Sequence, residues 1–393
     1  MTMPWPTLAL EELASVQRGK FSARPRNDPK YFGGDIPFIQ TGDVANGAGR
    51  VRNYSQTLND DGLSVSKLFP RGSLVVTIAA NIGDVARVEF DFACPDSLVV
   101  VQANEGVNSD WLQYSLESKK ELLHSLAPQN AQKNINLEVL RPLALDVPPL
   151  GEQQRIAGAL GSWDTAIQKT EQLIAAKERH FAATSHLLLT SRKRLNGFSM
   201  KWGLRRADEI FENTSRKGHL NEPLLSVTQE RGVIPRDMLE GRVTMPSGET
   251  DAFKLVEPGN FVISLRSFQG GLEHSNYRGL VSPAYTVLKE LVEIDERFFR
   301  HYFKSADFIK RLSVAVIGIR DGKQISFQDF CSIKLPFPAV DEQKAIAAFL
   351  DEAEGEITLL RKYTVALKTQ KRGLMQKLLT RQWRLPVREQ KGA

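Results

Sequence analysis

Cysteine is nearly absent: Cys94 and Cys331 are the only two among 393 residues. They lie far apart with no CxxC pair, which argues against a disulfide scaffold or a thiolate zinc site. No stretch approaches eighteen consecutive apolar residues, so no membrane-spanning helix is expected. The opening MTMPWPTLALEELASV carries neither a basic nor an apolar signal region, so a signal peptide is not expected and cytoplasm is the expected compartment. Loops that grip nucleotides are missing too: there is no GxxxxGK[ST] and no GxGxxG after a strand. Nor is there an NPP[YF] tetrapeptide of the kind that holds a flipped adenine. No G-x-S-x-G elbow stands out. The six histidines form no HxxxH or HxH pair, which favours isolated histidines over a metal site.

What is present is ordinary in bulk, with 41% hydrophobic and 25% charged residues. The chain is long enough for two or three domains with their own cores. Its net charge of +6 is modest but unevenly spread. Residues 355–393 hold ten Lys and Arg against two acids, Glu356 and Glu389. Such a basic helix end suits nucleic-acid phosphates, although an acidic protein would also fit it.

The most informative feature is a repeat. Pro148 to Thr190 opens with two prolines, which no helix interior tolerates, and then runs on without another. Leu160, Ile167, Ile174, Phe181 and Leu188 recur every seventh residue, the stripe of a long coiled-coil-like helix. At 1.5 Å per residue the helix would span roughly 55–60 Å. Pro336 to Thr380 repeats this stretch at an offset of 190 residues without a gap. Pro148 falls on Pro338, Glu152-Gln153 on Glu342-Gln343, Ile156 on Ile346, Leu160 on Leu350 and Ile167 on Ile357. Repeats of this kind settle the architecture before anything else does. The stripe of the second copy drifts to Leu360, Leu367, Leu374 and Leu378, with Thr364 and Lys371 where the first copy has Ile174 and Phe181. Related but unequal faces suit pairing within one chain better than pairing of identical chains, and antiparallel packing is the expected arrangement.

The globular parts repeat more loosely. Short apolar runs broken by Gly, Asn and Asp read as strands: Ile36–Ile39, Gly72–Ile78 and Ser97–Val101. Asp110 to Leu123 reads as a helix. Glu222–Leu225, Gly259–Ser264, Tyr285–Leu288 and Arg297–Phe303 stand for them in the second half. The expected division is therefore a domain over 1–147, a helix over 148–195, a second domain over 196–335, a helix over 336–385 and a basic tail over 386–393. Two domains on one frame that differ in detail would bind related but different things. Carried on antiparallel helices, two reading heads roughly 35 Å apart would meet major-groove sites about one turn apart.

Polar and basic residues cluster in the turns between strands. In the first half these are Arg24, Arg26, Lys30, Tyr31, Arg50, Arg52, Asn81 and Lys133. In the second half they are Arg216, Lys217, Arg231, Arg236, Arg266, Ser267, Gln269, His274, Asn276, Tyr277, Arg278, Arg320 and Lys323. Arg pairs bidentately with guanine and Asn or Gln with adenine, while Lys, Ser and Tyr commonly meet phosphates. Any one of them reads equally well as a solvated surface side chain. On two matching domains, the set favours duplex binding.

One carboxylate pattern needs weighing. Pro95-Asp96 followed by Glu117-Ser118-Lys119 has nuclease-like spacing and could position a metal ion. The apolar run after Asp96 explains it as strand packing, and the second half has Pro283-Ala284 at the matching place. A catalytic metal site is therefore not expected.

With the repeat, the PPLGEQQRIA and PFPAVDEQKAIA openings and the helices ending LLLT and KLLT, the chain resembles a DNA-specificity subunit of a type I restriction-modification system. The resemblance covers essentially the whole length. It implies an α/β fold with two pseudo-repeated target recognition domains, separated by two long helices packed as an antiparallel coiled coil. Each domain would read one half of an asymmetric bipartite double-stranded DNA site. The subunit would catalyse nothing and bind no cofactor. It would direct two methyltransferase subunits using S-adenosylmethionine, and restriction subunits using ATP and Mg²⁺. Glu152, Gln153, Ile156, Glu342, Gln343 and Ile346 would anchor the helices, dock the methyltransferase, or do both. Two other classes remain: a stand-alone nuclease or methyltransferase, which would act as the isolated chain, and a coiled-coil scaffold indifferent to DNA.

Overall fold

The computed structural model describes residues 5–127, 134–239, 251–264, 267–315 and 325–386. The chain forms two compact units, Met1–Thr170 with Tyr363–Ala393, and Glu171–Lys362. Each unit combines an α/β domain with half of each long helix. The helices span Leu150–Leu189 and Val340–Leu379, forty residues apiece.

The first unit is built on a five-stranded sheet. Its order is Ala14–Arg18, Leu98–Ala103, Leu74–Thr77, Val85–Val88 and Arg50–Val51, antiparallel throughout except for the last pair. Val99 pairs with Val76 and Val101 with Val16. Successive side chains in a strand point to opposite faces, so one apolar run serves two cores. Leu74, Val76, Val99 and Val101 meet Trp111 and Leu160 on one face. Val75, Leu98 and Val100 meet Ile39, Phe69 and Phe92 on the other. A second sheet, ordered Gln56–Leu58, Phe32–Phe38, Phe92–Ala93 and Leu68–Phe69, packs around Phe21, Phe38 and Leu58.

The second unit repeats this frame. Phe211–Thr214, Thr286–Glu290, Phe261–Ile263 and Glu273–His274 form a sheet in the same order as the first four strands above. The short pair Thr7–Ala9 with Ala144–Asp146 has its counterpart in Gly203–Arg206 with Lys334–Phe337. The core differs in kind. Where the first unit uses Val and Leu, the second packs Phe211, Phe261, Phe298, Phe299, Phe303 and Phe330 edge to face and tilted.

The long helices run antiparallel within each unit: positions late in the first helix meet positions early in the second. In the second unit Lys177 pairs with Glu356 at 2.7 Å and Arg361 with Glu178 at 2.6 Å, while Arg194 beyond the helix end reaches back to Glu342 at 2.5 Å. In the first unit Lys371 pairs with Asp164 at 2.6 Å, and Leu160 shares a core with Leu374 and Leu378. Leu160, Ile167, Leu188, Leu350, Ile357, Leu367 and Leu378 are buried. Ile174, Phe181, Leu360 and Leu374 are half-buried. Phe181 lies against the His301 ring. Lys371, at the matching place in the second helix, lies over the Tyr114 ring instead.

One local expectation changes. The helix expected over Asp110–Leu123 is two helices, Ser109–Ser118 and Lys120–Leu126, divided at Lys119, whose ψ of 4° leaves the helical region. The segment Glu222–Leu225 stands where Ile36–Ile39 stands in the first unit: Leu224 bridges Leu280 in parallel as Phe38 bridges Ala93. The strand Leu225–Thr228 that continues it pairs antiparallel with Gly232–Pro235, as Phe32–Phe38 pairs with Gln56–Leu58.

Candidate nucleic-acid interface

The repeated openings of the long helices are internal anchors. Gln153 is buried, accepts the Asn108 backbone N–H at 2.8 Å and donates to the Pro148 carbonyl at 2.9 Å. Asn108 in turn caps the helix Ser109–Ser118 by accepting the Trp111 N–H. Gln343 does the same for Asp295 and Pro338 in the second unit, and Asp295 caps Glu296–Phe303. One side chain thus ties the proline bend to the start of a domain helix, using both faces of its amide. Ile156 and Ile346 are buried in the cores. Glu342 is only 2% exposed and accepts both Arg194 nitrogens and the Trp202 indole N–H. Its counterpart Glu152 is half-buried, with Arg384 at 3.9 Å. Gln153, Ile156, Glu342, Gln343 and Ile346 are thus buried in these contacts, and Glu152 stands apart from them.

Where the domain helix meets the long helices, polar groups bind the two together. Tyr114 donates to Asp164 at 2.6 Å, and Lys371 donates to the other oxygen of the same carboxylate. Burial, then the bond to Asp164, pushes the Tyr114 hydroxyl well above the usual tyrosine range. In the second unit His301, Asp351 and Glu354 come close enough to suggest a metal site. The Arg300 guanidinium already fills that place, donating to Asp351 at 2.6 Å and Glu354 at 2.8 Å. Burial, then that guanidinium, depresses the His301 pKa. An ion-pair network accounts for the cluster.

The cations expected at the interface fall into two groups. Five of the ten among the described residues are ion-paired. Arg26 pairs with Asp96 at 2.8 Å, Lys30 with Asp28 at 3.6 Å, and Arg50 with Glu89 at 2.6 Å and Asp110 at 3.6 Å. Arg216 and Arg278 converge on Glu257, and Arg278 also holds Glu222. Arg231 donates to the Met238 carbonyl. Arg24 donates to the adjacent Ala23 carbonyl. Arg52 is exposed and has no partner among the described residues, and Lys217 is exposed as well.

The remaining expected residues are scattered. Asn81 and Asn276 are exposed, while Tyr31 and Tyr277 pack partly into small apolar clusters. Arg236 is half-buried, with its Nε unpartnered. Ser267 is buried and its hydroxyl accepts the Ser264 N–H at 2.9 Å, which makes it a turn-holder. His274 is buried against Phe261, and burial lowers its pKa to about 4. A neutral core imidazole offers nothing to a phosphate. Lys133, Arg266, Arg320 and Lys323 lie outside the described residues, as does the side chain of Gln269.

The nuclease-like pattern dissolves in the same way. Asp96 is taken by Arg26, and Glu117 is bonded to Gln113 with its pKa raised by burial.

Sequence reasoning missed a cleft of about 400 Å³ beside Arg52, lined also by Asp43, Asn46, Arg50, Asn53 and Tyr54. The polar run Arg52-Asn53-Tyr54-Ser55-Gln56 was its only signal, and only Arg52 drew notice.

Residues 3–178 match the family described as the type I restriction modification DNA specificity domain. The MjaX subunit of Methanocaldococcus jannaschii is 25% identical over 406 residues, covering 96% of this chain and 93% of its own length. The type I restriction enzyme MjaVIII specificity subunit of the same organism is 22% identical, covering 78% of each. Among solved structures, the S subunit of the type I restriction-modification system from M. genitalium aligns with a TM-score of 0.56 at 17% identity. That alignment covers 95% of this chain and 96% of the other. The fold is that of these subunits, two α/β domains joined to an antiparallel helix pair. The chain is similar over most of its length to specificity subunits of type I restriction-modification systems. Among the described residues no helix is long and apolar enough to cross a membrane.

Proposed function

We propose that this chain recognises double-stranded DNA as the non-catalytic specificity subunit of a type I restriction-modification complex. It reads an asymmetric bipartite site, one half with residues 1–147 and the other with residues 196–335. The paired helices hold the spacing between the halves and carry two methyltransferase subunits. Methylation with S-adenosylmethionine, and cleavage with ATP and Mg²⁺, belong to the partner subunits.

One observation carries this reading: the same strand order recurs in both units on differently composed surfaces. A duplicated frame with divergent loops is what reading two different half-sites needs. The likeness to specificity subunits supports the same reading.

The test is selection from randomised duplexes with the methyltransferase partner present. A bipartite motif with a fixed gap is expected, and exchanging residues 196–335 for another recognition domain should change one half only. A single contiguous motif, or none, would overturn it.

A further inference from the structure

We propose that the cleft beside Arg52 reads base edges, with Arg52 contacting a guanine in the half-site taken by the first unit. This rests on the reading that the first unit binds duplex DNA, and it adds which residues discriminate and what they discriminate.

The first support is rigidity. Residues 52–55 form a span fixed at both ends. Before it, Arg50–Val51 is an edge strand of the five-stranded sheet, with Val51 buried and its carbonyl accepting the Glu89 N–H at 3.1 Å. After it, Gln56 pairs with Phe38 in the other sheet and Leu58 is fully buried. A short segment pinned between two sheets presents its side chains with little freedom to lose, as discrimination requires.

The second support is availability. Arg52 to Gln56 are five consecutive exposed residues. Arg52 and Asn53 have no side-chain partner among the described residues, whereas Arg50 beside them is held by two carboxylates. The Tyr54 ring is set edge-on against Phe90 at 5.2 Å. Free Arg and Asn are the two side chains whose forks match guanine and adenine in the major groove.

The third support is charge. Asp43 lines the cleft and is fixed by the Gln40 N–H at 2.7 Å and the Ser55 hydroxyl at 3.2 Å. Asp110 and Glu89 stand behind Arg50. With Arg50 neutralised, the cleft presents one carboxylate beside one free guanidinium, a mix that suits a neutral edge carrying both donors and acceptors. The occupant that fits is the groove face of a base pair.

The experiment is duplex selection with the assembled complex, comparing wild type with R52K and R52A. Lys keeps the charge but lacks the fork. R52K is expected to bind within about twofold of wild type in total. It should lose preference at one guanine position by about tenfold, as expected for one bidentate pair. The other half-site should be unchanged, which also shows that the variant is folded. An unaltered motif in both variants would overturn the proposal. So would R52A weakening every duplex equally with the motif intact, the signature of a phosphate contact. A wild-type chain that selects no motif would overturn the parent reading.

Discussion

The side-chain oxygen of Gln343 accepts the backbone N–H of Asp295 at 2.9 Å, while its amide donates to the Pro338 carbonyl at the same distance. Gln343 is fully buried, so neither group could turn to water if the glutamine were lost. Gln343→Ala should lower unfolding stability by about 2–4 kcal/mol, the cost of two buried groups left unpaired. Gln153→Ala should do likewise through Asn108 and Pro148. Chemical denaturation of each variant checks this. A loss below about 0.5 kcal/mol would mean that the clamp contributes nothing.

The neighbouring glutamates should behave unequally although their sequence context repeats. Glu342 is 2% exposed and holds Arg194 and Trp202, so Glu342→Gln breaks a buried pair and should cost about 3 kcal/mol. Glu152 is half-buried and its arginine stands 3.9 Å away. Glu152→Gln should therefore cost less than about 1 kcal/mol. Equal losses in the two variants would contradict the geometry.

How much of this was legible in the sequence depends on what each feature answers to. The repeat was legible because helix stripes and proline bends are periodic and local. Leu160 and Leu350 sit at matching places and both are fully buried. The surface was much less legible. An arginine in a turn reads the same whether an acid lies beside it or not, and the acids lie far off in sequence. Arg216 is neutralised by Glu257, 41 residues on, and Arg26 by Asp96, 70 residues on. His274 looked like a surface histidine, yet it occupies a short strand facing Phe261, and only tertiary packing decides that. Lys119 illustrates the same limit inside an element, since an apolar pattern can run across a break between two helices.

The helix stripe makes its own prediction. Leu160→Ala and Leu350→Ala each empty a fully buried site and should cost about 2–5 kcal/mol. Ile174, at the same heptad position but half-buried, should cost distinctly less when truncated. Thermal or urea unfolding of the three variants gives the ranking. An Ile174 variant as damaging as the other two would show that the stripe is packed evenly along its length.

His274 supplies a pH dependence. Burial holds its folded pKa at about 4, below the usual 6.5, and its Nε2 has no partner. Between these values the unfolded chain binds a proton that the folded chain refuses, so stability must fall as pH drops from about 6.5 towards 4. The loss from this group approaches about 3 kcal/mol at the lower limit and vanishes above pH 7. His274→Phe keeps an aromatic ring beside Phe261 and removes the titration. Stability measured by urea unfolding at several pH values should decline less steeply in acid for this variant than for wild type. Since other groups titrate in both proteins, the difference between the two curves isolates His274. Parallel curves from pH 7 to 4.5 would show that the imidazole can take up a proton where it sits, which its packing against Phe261 argues against.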